Sequence, residues 1–362
     1  MITAIWLTII LVNIILSILH KNNSIIAFAS AIVIVLLLGG NYQNADYEGY
    51  CRYYTDQLYP SSMEPGYVYL SSVSHAIGLT YQSFVLVLMS FSVGMTTVVI
   101  LRYGADKHLI IALYLLTLFF LDAVQIRQTV AYSLFTVAIM LLSDGKRVLG
   151  AISIIVAFLF QWTAIVFFPL VFLDPKKQLN KKMIRWIVTI ILFSCLIVFI
   201  NGNSLSFLMP IIRMFVRADK LVYFDSRTRF GFVLYFTFQF ACMYIAYICK
   251  TTILKFSKNE ALIRYAEYIY MATMYACFAL PFVMLNNNFS RIFKFSMMGC
   301  FILIANVYKE QRENGEMIWI GNSTIINPPT FSVIVVMYVL VYEIVIQLSG
   351  VVTDVLTYNS FF

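Results

Sequence analysis

The chain has 362 residues, 61% of them hydrophobic and 12% charged, with a mean hydropathy of +0.86 and a formal net charge of +8. Soluble domains carry about 25% charged and about 45–50% apolar residues, so this chain has too little polar side chain to cover a globule with water. A secreted enzyme, a disordered tail and a zinc module are excluded: Cys51 is the only cysteine in a polar loop, and the other five lie in apolar runs.

The first apolar run, Ile2–Leu19, has no basic residue before it and no small-x-small cleavage site, so it is expected to be retained as a helix. The patch His20–Ser24 turns the chain back into Ile25–Gly39. Further runs follow at Ser83–Leu101, His108–Leu121, Thr129–Leu142, Val148–Leu173, Ile184–Ile200, Phe232–Ile248, Ala261–Leu285, Phe295–Tyr308 and Phe331–Leu348. Apolar runs near 20 residues, recurring from end to end, predict an all-α polytopic membrane protein. Residues 1–362 read as one transmembrane domain of about ten to twelve spanning or half-spanning helices, with two large outer loops at 41–80 and 201–230.

Lys and Arg in alternate loops set the orientation. The loops near 20–24, 102–107, 143–147, 174–185, 250–264 and 309–330 hold 16 basic residues, against nine in the other set. The positive-inside rule makes the first set cytoplasmic and places both termini outside. The positive charge is then an insertion signal, and no nucleic-acid partner is implied.

Several crossings are short. Val148–Leu173 gives 26 residues for two passes, where a full pass needs about 20. Such hairpins persist only where their tips are buried in protein or border a wet cavity. The expectation is an outward cavity floored by Arg127-Gln128, Gln161-Trp162 and Asn286–Lys294.

The first outer loop carries Asp46, Tyr47, Glu48, Tyr50, Arg52, Asp56 and then Glu64-Pro65-Gly66-Tyr67. Carboxylates accept hydrogen bonds from sugar hydroxyls and aromatic rings stack on sugar faces, although interfacial tyrosines and acidic outer loops also occur without function. After the Pro-Gly turn, Tyr67, Leu70, Val73 and Ile77 predict one face of an amphipathic helix along the membrane surface or over the cavity mouth. The second outer loop places Arg213, Arg217 and Lys220 on one helical face, with Tyr223, Arg227 and Arg229 following. Snorkelling to lipid phosphates accounts for such a face without a function. Four of its five basic residues are Arg, whose planar fork grips phosphate oxygens in pairs, which favours capture of a lipid pyrophosphate.

Arg127 and Arg291 each stand just before an apolar run. A charge at membrane depth costs about 2.5–3.5 kcal/mol on insertion scales, so both are candidates for function, or for structural pairing with Asp122 or Glu343. The three histidines cannot converge on a metal, and no Walker loop, dinucleotide fingerprint or G-x-S-x-G elbow occurs. Neither a metal nor another cofactor is expected.

The order Asp46-Tyr47-x-x-Tyr50, Glu64-Pro65-Gly66-Tyr67, Ile126-Arg127-Gln128-x-x-Ala131, Gln161-Trp162-Thr163-Ala164 leading to Pro169, and Ser290-Arg291 resembles the EpsG family of bacterial exopolysaccharide membrane proteins. These are relatives of the Wzy-type polymerases of O-antigen and capsule. The resemblance covers about residues 1–310. It implies a GT-C-like helical fold in the bacterial plasma membrane, with an extracytoplasmic site. It also implies a polymerase that moves a growing glycan from undecaprenyl pyrophosphate to a sugar hydroxyl on the next lipid-linked repeat. Membrane lipids and a chain-length regulator are the other candidate partners.

In that reading Asp46, Glu64, Arg127 and Arg291 are catalytic. Tyr47, Tyr50, Arg52, Gln128, Gln161, Arg213, Arg217, Lys220, Tyr223, Arg227, Arg229 and Lys294 bind substrate. Two departures stand out: Gly39-Gly40-Asn41 occupies the place where family members often carry Arg, and Gln161 stands where they often carry His. Glutamine cannot titrate, so the resemblance gives Gln161 no proton to transfer. The physics agrees with the rest, since arginines stabilise charge growing on a pyrophosphate and a carboxylate takes the proton of the attacking hydroxyl. Asp46 is the preferred base and Glu64 the second choice. A flippase for the same lipid-linked sugars is the alternative, and it lacks the internal repeat that many transporters show. A membrane acyltransferase would want a histidine in the membrane core.

Overall fold

A computed structural model describes residues 1–175, 181–215, 221, 224, 231–315, 317–321, 324–347 and 350–362. The apolar runs fold as helices close to the expected ranges. In chain order these are α1 (Ile2–Ile18), α2 (Ser24–Gly40), α3 (Tyr47–Asp56), α4 (Pro65–Ala76), α5 (Tyr81–Tyr103), α6 (Lys107–Leu116), α7 (Leu118–Val124), α8 (Ile126–Ser143) and α9 (Arg147–Phe158). A 3-10 segment covers Trp162–Phe172. Then come α10 (Lys181–Ile200), α11 (Met209–Phe215), α12 (Phe232–Phe256), α13 (Glu260–Ala276), α14 (Leu280–Val283), α15 (Lys294–Asn314), α16 (Pro328–Gln347) and α17 (Val351–Thr357). Strands Ile318–Ile320 and Thr324–Ile326 pair as one small antiparallel hairpin.

The result is an all-α polytopic membrane protein. Among the described residues, α5, α8, α12 and two continuous stretches, Glu260–Val283 and Asn287–Asn314, are long and apolar enough to cross a membrane. The pair α6–α7, bent by 59° at Thr117, is a broken span or a re-entrant loop, and six shorter apolar helices accompany them. The short passage expected over Val148–Leu173 is real: α9 ends at Phe158, and the return is a 3-10 segment with Pro169 inside it. A proline removes a helical donor and crowds the preceding turn, so a regular helix is not available there.

Helix α15 runs through the centre, with every residue from Lys294 to Val307 buried. A helix that is apolar all round needs neighbours all round. Glycine permits the closest approaches: a Cβ at Gly299 would sit 2.0 Å from Ile269 Cδ1 on α13, and one at Gly150 would sit 2.7 Å from Leu142 on α8.

Both termini share one end of the bundle. Asn359 Nδ2 donates to Leu37 O at 2.9 Å and Ser360 N to Gly40 O at 2.8 Å, so the C-terminal strap closes over the end of α2 and the start of the first outer loop. The basic loops gather at the other end, where Arg312 meets Asp106 at 2.8 Å, Arg102 meets Asp144 at 3.2 Å and Arg264 Nε donates to Ser143 O at 2.6 Å. Among the described residues, the basic loops near 102–107, 143–147, 264 and 312 therefore meet at one end, away from the termini.

Two expectations about the first outer loop need correction. Residues 47–56 form a helix, with Tyr50 and Tyr54 on its buried side. In α4 the buried face is Tyr67 and Ser71, whereas Val73 and Ile77 are exposed. Tyr67 packs edge-on to Tyr50 at 5.5 Å, and Tyr59 bonds Ser71 at 2.7 Å. Packing against α3 and the segment after it, not hydrophobic spacing, chooses the face.

Candidate functional site

The terminus-bearing end of the bundle assembles the motifs. Pro65 starts α4, where its fixed φ suits the first helical turn. The Gly66 amide donates to Leu159 O at 2.8 Å, and a Cβ there would stand 2.8 Å from that carbonyl. Only glycine fits this approach, which anchors α4 on the tip between α9 and the 3-10 return. Glu64 is thereby carried inward, where it is 4% exposed.

Glu64 forms an ion pair with Arg127, whose Nε also donates to the Tyr50 hydroxyl at 2.6 Å while its guanidinium lies 5.2 Å from the centre of the Tyr50 ring. Arg127 therefore joins α3, α4 and α8. Its structural partner is Glu64, not Asp122 or Glu343. Tyr50 is itself buried in a cluster with Tyr53 and Tyr67, so it holds Arg127 and offers no open ring face to a sugar.

Asp46 stands at the start of α3 without a side-chain cap bond, and its amide donates to Asn44 Oδ1 at 3.0 Å. Burial pushes its carboxyl above the usual range, and the charges of Arg291 and then Arg127 pull it back. Asp46 and both arginines thus share one electrostatic environment. Asn44 also reaches Ala123 O at 3.4 Å, tying the loop to the break before α8.

Arg291 lies in the 3-10 turn Asn287–Phe293 that leads into α15. Its carbonyl accepts a hydrogen bond from Gln128 Nε2 at 2.6 Å, joining two of the expected hairpin tips. Its guanidinium makes no hydrogen bond or ion pair among the described residues. Gln128 Oε1 is buried with no partner there, an acceptor left for a ligand or water. Arg291 lines a cavity of about 190 Å³ with Gln125, Asn287, Asn288, Ser290 and Lys294.

Lys294 is buried, donates to Gln125 Oε1 at 2.8 Å and lies 3.8 Å from Asp122 Oδ1. Asp122 in turn accepts from the Tyr114 hydroxyl at 2.8 Å. An ammonium has three donors, so Lys294 can keep this pair and still reach an anion in the cavity. Sequence reasoning missed Asp122 and Gln125 as its supports; the available clue was an acid inside an apolar run.

A wider, open cavity of about 710 Å³ lies beside α3, lined by Asn44, Tyr47, Glu48, Arg52, Asp56 and Asp354 among others. Tyr47 donates to Gln82 Oε1 at 2.9 Å, and Arg52 pairs with Glu48 on the exposed face of α3 at 3.1 Å. Gln161 is half-buried ahead of the 3-10 segment. Among the described residues no hydrogen bond joins it to Asp46, Arg127 or Arg291. Arg213 is exposed on α11. Arg217, Lys220, Tyr223, Arg227 and Arg229 lie outside the described residues.

No curated protein and no solved structure matches the chain. The sequence model of the EpsG family matches residues 24–360, nearly the whole length, and spans every element of this site. With its motifs drawn together at one end of a polytopic helical bundle, the chain belongs to the EpsG family, which places it in polysaccharide biosynthesis as a polymerase-like membrane protein.

Proposed function

We propose that the chain polymerises lipid-linked oligosaccharide repeats, transferring a glycan from undecaprenyl pyrophosphate to a sugar hydroxyl of the next repeat on the outer face of the plasma membrane. The observation that carries this reading is the division of labour between two arginines. Arg127 is held by Glu64 and Tyr50, while Arg291, whose guanidinium has no partner among the described residues, lines a cavity with Lys294 and influences the carboxyl of Asp46.

In the reaction the acceptor hydroxyl oxygen bonds to the anomeric carbon as the bond from that carbon to the pyrophosphate oxygen breaks. The hydroxyl proton passes to Asp46, and the pyrophosphate leaves with the bonding electrons. Arg291 and Lys294 neutralise the charge that grows on it, and positioned cations of this kind stabilise a transition state more than the ground state. The pyrophosphate supplies the activation, so no nucleotide is needed. Glu64 is already committed to Arg127 and acts as a positioning residue. The open cavity beside α3 offers Tyr47, Glu48 and Asp56 to the sugars, and the arginine-rich loop 201–230 meets the lipid pyrophosphate on arrival.

A base works only when deprotonated, so polymer formation falls as pH drops through the pKa of Asp46. Because burial raises that pKa, the acid limb lies above the usual carboxylate range. A pH–rate profile of polymerisation between about pH 4 and pH 8 tests this. A flat profile contradicts Asp46 as the base.

A further inference from the structure

At the end of the bundle opposite the termini, an apolar groove of about 280 Å³ lies between α2 and α5, with the exposed side chains of Phe28 and Leu101 in its lining. Ala27, Ala31 and Ile34 form one wall and Val93, Thr96 and Ile100 the other. At its mouth stand Ser24 and Lys107, with Lys107 Nζ donating to Ser24 Oγ at 2.8 Å. At its deep end are Asp122, Thr129, Tyr132 and Met298, behind the ion pair that supports Lys294.

Three features define an occupant. From Ser24 to Ile34 the groove runs about 15 Å along α2, at 1.5 Å per residue, or half of a hydrocarbon core about 30 Å thick. It therefore fits a chain from one leaflet. Its mouth is cationic: Lys107 contacts a neutral hydroxyl and forms no ion pair among the described residues. The adjacent Asp106 is engaged elsewhere, accepting from Ser17 Oγ at 2.7 Å, Arg312 at 2.8 Å and Leu109 N at 3.0 Å. Its deep end carries Asp122, whose Oδ1 is paired with Lys294 and whose Oδ2 accepts from Tyr114, so that end offers a phosphate an acceptor and no free cation. The headgroup must then lie at Lys107, not at the bilayer centre.

We propose that this groove binds an anionic phospholipid from the leaflet on the basic side, with its phosphate on Lys107 and Ser24 and one acyl chain between α2 and α5. The chain end packs against Asp122, Thr129 and Tyr132, so a lipid on one face braces the support of Lys294 on the other. This site is separate from the substrate site and does not depend on the polymerase reading. Basic pockets between transmembrane helices on the cytoplasmic side are suited to such headgroups.

The test is photolabelling of the full chain in nanodiscs with trace photoactivatable phosphatidylglycerol, phosphatidylcholine or polyprenyl diphosphate, followed by peptide mapping. Phosphatidylglycerol should label residues 27–34 and 92–101 about fivefold more than phosphatidylcholine, as expected for one lysine at an anionic headgroup. Lys107→Gln should remove that preference and Lys107→Arg should keep it. Thr96→Trp, which fills the groove, should abolish labelling by both phospholipids. Equal labelling by the two phospholipids in the native protein, or labelling of these peptides by polyprenyl diphosphate in their place, overturns the proposal.

Discussion

Arg291→Ala will abolish long polymer while leaving the protein at its normal level in the membrane. Loss of one preorganised group that stabilises developing charge lowers rates by about 10²–10³-fold. Arg291 has no side-chain bond among the described residues to lose, so the fold should not register the change. Lysine at this position should restore part of the rate, because it supplies charge without a bidentate grip. The measurement is polymer length on a gel against protein recovered by size exclusion. Full-length polymer from the Ala variant would remove Arg291 from the mechanism.

Asp46→Asn and Glu64→Gln, both nearly isosteric, should fail in different ways. Asp46→Asn keeps the shape of the loop and removes the base, so the rate should fall by about 10²–10⁴-fold with thermal stability unchanged. Glu64→Gln leaves the Arg127 guanidinium without its counter-charge in a largely buried place. Breaking such a pair costs about 3–5 kcal/mol, so this variant should melt at lower temperature and lose activity together with stability. Thermal unfolding in detergent, run beside a rate assay, separates the two. A Glu64→Gln protein of native stability and no activity would make Glu64 the base.

The helices were legible because membrane spans need long apolar runs, and few other chains contain them. The break between α6 and α7 was not, since Thr117 sits in an apolar run with no proline or glycine to mark it. Helix α3 was hidden by its polar, tyrosine-rich sequence, although Tyr47, Tyr50 and Tyr54 already had helical spacing. The family motifs identified Glu64, Arg127 and Arg291 as residues of interest but gave no hint of their pairing. Glu64 and Arg127 are 63 positions apart, and no local pattern encodes such a partner. Gly66 is the exception: its place after Pro65 marked a turn, and the structure shows the close approach to Leu159 that excludes any side chain there.

The most direct measurement uses the purified protein in detergent with lipid-linked repeat units and no nucleotide. A polymerase with its base and cations at one end of the bundle should build a ladder of longer lipid-linked glycans. The Asp46→Asn and Arg291→Ala variants should leave single repeats. Detergent removes sidedness, so transport cannot imitate that product. No ladder from the pure native protein, together with single repeats stranded on the cytoplasmic face of cells lacking the gene, would contradict a polymerase and indicate a flippase.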